Sequence, residues 1–377
     1  MMLTFLNIIG TRPEAIKMAP VIHAQRGFSD SIHPFVCSTG QHRQMLDDAF
    51  QFFDIKPDYE LAVMQGDQSL SILTASLLES LNKVVIDAKP DWILAQGDTT
   101  SVMTSALVAF YHRIPFAHVE AGLRTGNIYS PFPEEMNRII ADKVAALLFA
   151  PTSHAKQQLI NRGLNEERIF VTGNTIIDAL HMVTKTPYSW EQGQLASIPR
   201  DKRIVLITAH RRESFGAQIE QIHNAVRILA NRFAADDILF VYPVHLNPRV
   251  YEPANRILGK TDNVMLLPPL DYLSLVNLMQ EAVLVLTDSG GIQEEAPTFG
   301  KPVLVLRNDT ERPEGVTAGV SRLVGTSTDV IVEAVTELLT NQQAYDAMAQ
   351  PKNPYGDGMA AQRIVQAILT HRGEGAS

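Results

Sequence analysis

The chain has 377 residues, 32 Lys plus Arg against 41 Asp plus Glu, and a formal net charge of -9. That length exceeds one average domain and points to two, while a composition that is 45% hydrophobic and 19% charged excludes long disorder. The acidic balance argues against nucleic acid or a membrane surface as the main partner, and a single cysteine, Cys37, excludes an internal disulfide and fits the cytoplasm.

Residues 1–10 are apolar but lack a basic flank and a cleavage site, so they read as a first strand and not a signal. Further strands are expected at 33–38, 91–95, 115–119, 146–150 and 168–171, after the first at 3–9, with helical periodicity at 15–25, 70–88 and 100–112. The pattern restarts with strands at 203–208, 237–243, 263–267, 282–287 and 302–306 and helices at 215–232, 273–281 and 293–299. Such alternation predicts an α/β fold of two doubly wound, Rossmann-like domains with parallel sheets, facing across a cleft. The polar, aperiodic stretch 184–202 reads as the linker region. The expected domains are 1–172 and 173–355, with a terminal helix in 356–377 packed on the first. No apolar run reaches the ~18 residues of a membrane span.

Ligands of doubly wound sheets bind beyond the carboxyl ends of the strands. After the first strand, Gly10, Thr11, Arg12, Pro13 and Glu14 open a helix whose N–H groups, with Arg12 and Lys17, suit an anion or merely form a basic surface cap. The fingerprints GxGxxG and GxxxxGK[ST] are absent. Asp98 follows the strand 91–95 and either caps the next helix or faces a ligand. Glu120, beside the small Ala121 and Gly122, is harder to explain by capping and reads as functional. Of Glu134 and Glu135, which open a helix, one suits the macrodipole and the other is available to a site.

In the second half, His210, Arg211 and Arg212 after the strand 203–208 read either as an anion or proton-transfer station or as a solvated surface doublet. His118 and Glu120 spell the HxE of zinc deaminases, but PCxxC and HExxH are missing, so no metal is expected. The most informative segment is Asp288, Ser289, Gly290, Gly291, Ile292, Gln293, Glu294, Glu295, Ala296. Its glycines let backbone approach a ligand, its helix start suits a diphosphate, and Glu295 can accept from a ribose diol. Arg312 can reach the same ligand.

The blocks GTRPEAIKMAP, QGDTTS, HVEAGLRT, PFPEEMNR, TAHRRESFG, TDSGGIQEEAP and TERPEGVTAG, in that order over nearly the whole chain, closely resemble those of the non-hydrolysing bacterial UDP-N-acetylglucosamine 2-epimerases. The resemblance implies a glycosyltransferase-B-like architecture, a homodimer, a UDP-N-acetylhexosamine substrate, and reversible conversion of UDP-GlcNAc to UDP-ManNAc without cofactor or metal. By position it implies Asp98, Glu120, Glu134 and His210 as the catalytic set. Arg12, Lys17, Ser289, Gly290, Gly291, Glu295 and Arg312 are the implied UDP-binding set, with Asp98, Glu120 and His210 also touching substrate. Leu270 and Leu275 depart from the family, which often has a glutamine and an aromatic residue at these uridine positions. Gln41, Gln44, Arg211 and His245 resemble an effector site for a second UDP-GlcNAc, although Asp67 stands where some members have arginine.

The C2 proton of an N-acetylhexosamine is not acidic, so its removal is best coupled to loss of UDP from C1. Anti elimination gives 2-acetamidoglucal plus UDP, and re-addition with protonation from the other face gives the manno sugar. That path needs acid–base groups on both faces of the ring and cations for the departing diphosphate. A hydrolysing epimerase, a 2-epimerase of a related UDP-sugar, a glycosyltransferase and a nucleotide-sugar binding protein remain alternatives at this level.

Overall fold

The computed structural model describes residues 2–40, 43–63 and 68–371. Two compact units divide the chain, Met1–His181 with Tyr355–Ser377 and Met182–Pro354. The first holds a parallel sheet of β1 (Leu3–Ile9), β2 (Ile32–Ser38), β3 (Tyr59–Glu60), β4 (Trp92–Gln96), β5 (Phe116–Val119), β6 (Leu147–Ala150) and β7 (Ile169–Val171). Their order is β3-β2-β1-β4-β5-β6-β7. Crossover helices cover both faces, so β4, β5 and β6 are buried along their whole length and are apolar except at Gln96 and His118. In the helix Leu70–Ala88, Leu73, Leu77, Leu81, Val84 and Val85 turn inward at the spacing of one helical face.

The second unit repeats the topology with β8 (Arg203–Thr208), β9 (Ile238–Pro243), β10 (Val264–Leu267), β11 (Ala282–Thr287), β12 (Val303–Val305) and β13 (Ser321–Leu323), ordered β10-β9-β8-β11-β12-β13. Chain direction across each sheet therefore reverses beside its first strand, between β1 and β4 and between β8 and β11, and the crevice at that point is where doubly wound sheets take ligands.

Several elements lie outside the sequence expectation. β3 and β13 have two and three residues, too few to show a period. The helix Pro248–Leu258 buries Val250, Ala254 and Leu258 at four-residue spacing, but Pro253 inside it reads as a breaker. The stretch 184–202 is no free linker. Trp190, Leu195 and Ile198 are buried in the second unit's core, the Trp190 indole donates to Ile198 O (3.3 Å), and the Arg200 guanidinium lies 4.4 Å from the Trp190 ring centroid.

The division falls between His181 and Met182, within the helix Thr175–Val183, and not after residue 172. Asp178 on that helix accepts hydrogen bonds from Ala360 N (3.2 Å) and Ala361 N (2.8 Å), and Asn174 N donates to Tyr355 O (2.7 Å). These bonds hold the start of the helix Ala360–Thr370 in the first unit, whose sheet lies far away in sequence. Asp178→Ala leaves two buried N–H groups unmet at a helix start. It is expected to lower stability by about 1–2 kcal/mol and to raise amide exchange in Ala360–Thr370, measured by denaturation and hydrogen–deuterium exchange.

Candidate functional site

In the first unit, Gly10, Asp98 and Glu120 follow the adjacent strands β1, β4 and β5. A side chain at position 10 has no room, because a Cβ there would lie 2.6 Å from Ser101 Oγ and 2.9 Å from Thr39 Oγ1. Thr11 caps the helix Arg12–Arg26 in a capping box with Glu14. The Glu14 carboxylate accepts from Gly10 N (2.5 Å) and Thr11 N (3.1 Å), so backbone donors expected to meet an anion are met inside the chain. Burial pushes Glu14 up to about 7, and Asp98 adds to the rise against the lowering effect of these hydrogen bonds.

Lys17 is likewise committed within the chain. Its Nζ stands 2.5 Å from Glu120 Oε2, both side chains being less than one-tenth exposed, and Gln96 Nε2 donates to the same oxygen (3.0 Å). Glu120 adopts φ +65°, a left-handed conformation uncommon for a residue with a Cβ and typical of strained functional positions. Arg12 is half-buried at the helix start.

The helix Glu134–Val144 organises the rest of this half. Arg138 donates through Nε (2.9 Å) and Nη2 (2.6 Å) to Asp98 Oδ2, and Asn137 Nδ2 donates to Asp98 O (2.9 Å). Asp98 is therefore ion-paired, while Thr99 caps the following helix through Val102 N. Glu135 is the structural member of the acidic pair. It is buried and accepts from Thr125 N (3.2 Å), Gly126 N (3.4 Å) and Arg138 Nη1 (3.1 Å), whereas Glu134 is half-buried in the same first turn.

Asp142, one face further along, bonds His118 Nδ1 (2.5 Å) and Arg124. Burial opposes its ionisation, but the His118 imidazole and Arg124 guanidinium hold it below the usual carboxylate range. His118 Nε2 stands 2.8 Å from Gly97 O, so both ring nitrogens have partners within the chain. Burial pushes the Cys37 thiol up to about 12, which removes it as a nucleophile.

In the second unit, β8, β9 and β11 are neighbours, and His210, His245 and Ser289 stand two residues beyond their respective ends. The His210 and His245 rings stack, with centroids 5.5 Å apart and planes 11° from parallel. Desolvation, opposed by Asp288 and aided by His245 and Arg211, holds His210 below the ordinary histidine range. Arg211 is half-buried beside it. Fully buried Asp288 accepts from both His210 N and Arg211 N at 2.7 Å.

Ser289 leads into the helix Gly290–Glu295 without a side-chain cap, the opposite of Thr11, so its first N–H groups are the ones left for an anion. A Cβ at Gly290 would lie 2.5 Å from Arg312 Cζ and would displace the guanidinium, whereas a Cβ at Gly291 would meet only ordinary contacts, with Glu295 Oε2 3.9 Å away. Arg312 is held over this turn by Glu294 Oε1 (2.7 Å to Nε) and Glu311 (3.2 Å). Glu295 is buried and accepts from Tyr272 OH (2.5 Å). Leu270 and Leu275 pack in the core with Ile292 of the same turn. Gln41, the Gln44 side chain and Asp67 lie outside the described residues.

Sequence reasoning missed Glu14, Gln96, Arg138, Tyr272 and Asp288. Arg138 stands one helical turn after Glu134 and Asp288 directly precedes the Ser-Gly-Gly turn, positions that could have marked both. Glu14 yields a pH test. Its folded pKa of about 7 is raised above the ordinary carboxylate value of 4.5, so its stabilising effect is complete below 4.5 and lost as pH rises through 7. Glu14→Gln keeps a carbonyl for both N–H groups and removes the titration. The wild type is expected to lose on the order of 3 kcal/mol relative to this variant by about pH 8, read from denaturant unfolding against pH.

The family model described as UDP-N-acetylglucosamine 2-epimerase matches residues 28–369. The chain is 51% identical over 377 residues to UDP-N-acetylglucosamine 2-epimerase of Escherichia coli strain K12, covering 97% of this chain and 98% of that one. A crystal structure of UDP-GlcNAc 2-epimerase from Neisseria meningitidis bound to UDP-GlcNAc superposes with a TM-score of 0.92 at 45% identity, over 98% of this chain and 100% of that one. A glycosyltransferase structure at 12% identity and TM-score 0.65 shares the fold alone, in keeping with a glycosyltransferase-B-like α/β architecture. Two parallel sheets of one topology, an uncapped Ser-Gly-Gly turn, and similarity running through every block of the chain place it in the UDP-N-acetylglucosamine 2-epimerase family.

Proposed function

We propose that this chain interconverts UDP-GlcNAc and UDP-ManNAc by anti elimination of UDP and its re-addition. The observation that carries the reading is the pair of carboxylates on neighbouring strand ends, Glu120 held by Lys17 and Gln96 and Asp98 held by Arg138. The cation beside each carboxylate fixes its orientation, and a carboxylate oxygen so placed is a candidate acceptor for the C2 proton. In the forward direction a carboxylate takes the C2 proton, the C1–O bond breaks, and its electron pair leaves with UDP as the C1–C2 double bond forms. In the return, a UDP oxygen adds to C1 and a proton reaches C2 from the opposite face. Asp98, Glu120 and Glu134 share the two proton steps.

The second unit is assigned the nucleotide. Ser289, Gly290 and Gly291 offer backbone donors to the diphosphate, Arg312 and Arg12 supply charge, and Glu295 accepts from the ribose diol. His210 assists the departing diphosphate. Lys17 serves through Glu120 and not as a phosphate ligand. Leu270 and Leu275 shape the uridine side by packing, without the hydrogen bonds a glutamine would offer. Arg211 and His245 are the described members of the effector site. No metal or cofactor is required, and a nucleotide-sugar substrate with a lone, buried Cys37 fits the cytoplasm. Among the described residues no helix is long and apolar enough to cross a membrane.

Incubation with UDP-GlcNAc alone in deuterium oxide is expected to give UDP-ManNAc carrying deuterium at C2, followed by the anomeric NMR signals. Product without deuterium overturns elimination, and free ManNAc identifies a hydrolysing enzyme. Asp98→Asn and Glu120→Gln are each expected to cost about 10²-fold or more in kcat.

The helices Leu70–Ala88 and Thr100–His112 expose Leu70, Ile72 and Ile86 and Phe110 and Tyr111, an apolar surface suited to a second copy of the chain. This face is assigned to a homodimer. Light scattering is expected to give a dimer for the wild type and a monomer for Phe110→Glu with Tyr111→Lys; a dimer in both rejects the assignment.

A further inference from the structure

Asp288 directly follows β11 at full burial, and its two oxygens have different surroundings. Oδ2 accepts the backbone N–H groups of His210 and Arg211, which fixes the loop leaving β8 to the turn leaving β11. Oδ1 is buried, has no hydrogen-bond partner, and stands 3.7 Å from His210 Nδ1. A desolvated carboxylate oxygen without a donor is costly, and a slight rotation of the imidazole supplies one.

The geometry points to Asp288 as the positioning residue of His210, whose Nδ1–H donates to Asp288 Oδ1 so that Nε2 is the nitrogen presented to ligand. The groups facing this ring are Asp288 after β11, His245 after β9, and Arg211 on its own loop. His245 Nδ1 accepts from Asn247 N (3.0 Å), so its own proton sits on Nε2, and its parallel ring restricts rotation of His210. Tyr242 OH donates to Ala209 O (2.6 Å) and braces the loop one residue earlier. The same backbone contacts make Asp288 a link between His210 and the Ser-Gly-Gly turn, so the histidine and the diphosphate donors move as one body. The catalytic consequence rests on the role given to His210 above; the tautomer does not.

Histidine-labelled intact protein tests this by long-range proton–nitrogen NMR, with the His210 signals assigned by their loss in His210→Gln. Neutral His210 in the wild type is expected to carry its proton on Nδ1. In Asp288→Asn the amide carbonyl can keep the two backbone bonds, and its Nδ2–H then faces the ring, so the proton is expected to move to Nε2. With UDP-GlcNAc, kcat is expected to fall by about 10²-fold while KM changes by less than about threefold. Adding Asp288→Asn to His210→Gln is expected to cost no further activity. An Nε2–H tautomer in the wild type overturns the proposal, whether or not Asp288→Asn folds. A loss in the double variant that adds to that of His210→Gln overturns it as well. Full activity of His210→Gln removes the diphosphate role of His210, and the tautomer still decides the Asp288 contact.

Discussion

A carboxylate taken out of water costs several kcal/mol unless a cation or N–H groups replace its hydration. The first unit gathers Glu14, Asp98, Glu120, Glu135 and Asp142 around the ends of three adjacent strands, and each is met by a named partner. Three of those arrangements depend on the single helix Glu134–Val144, whose successive turns present Glu135, Arg138 and Asp142 to the loops after β4 and β5. The helix is less a packing element than a strut that makes a charged strand edge tolerable. Because His118 ties Asp142 to Gly97 O, the carbonyl next to Asp98 and the strand leading to Glu120 are set by the same network.

The second unit has the same strand order but meets the demand differently. One oxygen of its buried Asp288 is met by two backbone amides, and Arg312 occupies the space a side chain at position 290 would need. One topology thus carries acid–base groups in one copy and anion-binding backbone in the other, which is the division the proposed elimination requires.

Much of this was legible in the sequence, for physical reasons that also mark where legibility ended. Strands buried on both faces are largely apolar runs, so β1, β4, β5, β8 and β11 and the loops after them could be located, and with them Asp98, Glu120, His210 and Ser289. Two- and three-residue strands carry no period, and Pro253 masks an otherwise regular helix. Partner choice was the harder problem. Position along the chain identifies Asp98 as able to cap a helix, but only the fold brings Arg138 to it across the sheet edge and leaves capping to Thr99. Likewise Trp190, Leu195 and Ile198 look like isolated apolar residues in a linker until a core surrounds them.

Glu14 has a wider consequence. By filling the hollow of its own loop, this carboxylate meets the backbone N–H groups after β1 from within, whereas the helix after β11 begins without a side-chain cap. The two helix starts therefore differ in electrostatic character before any ligand arrives, one already carrying a carboxylate and the other presenting its amides uncapped.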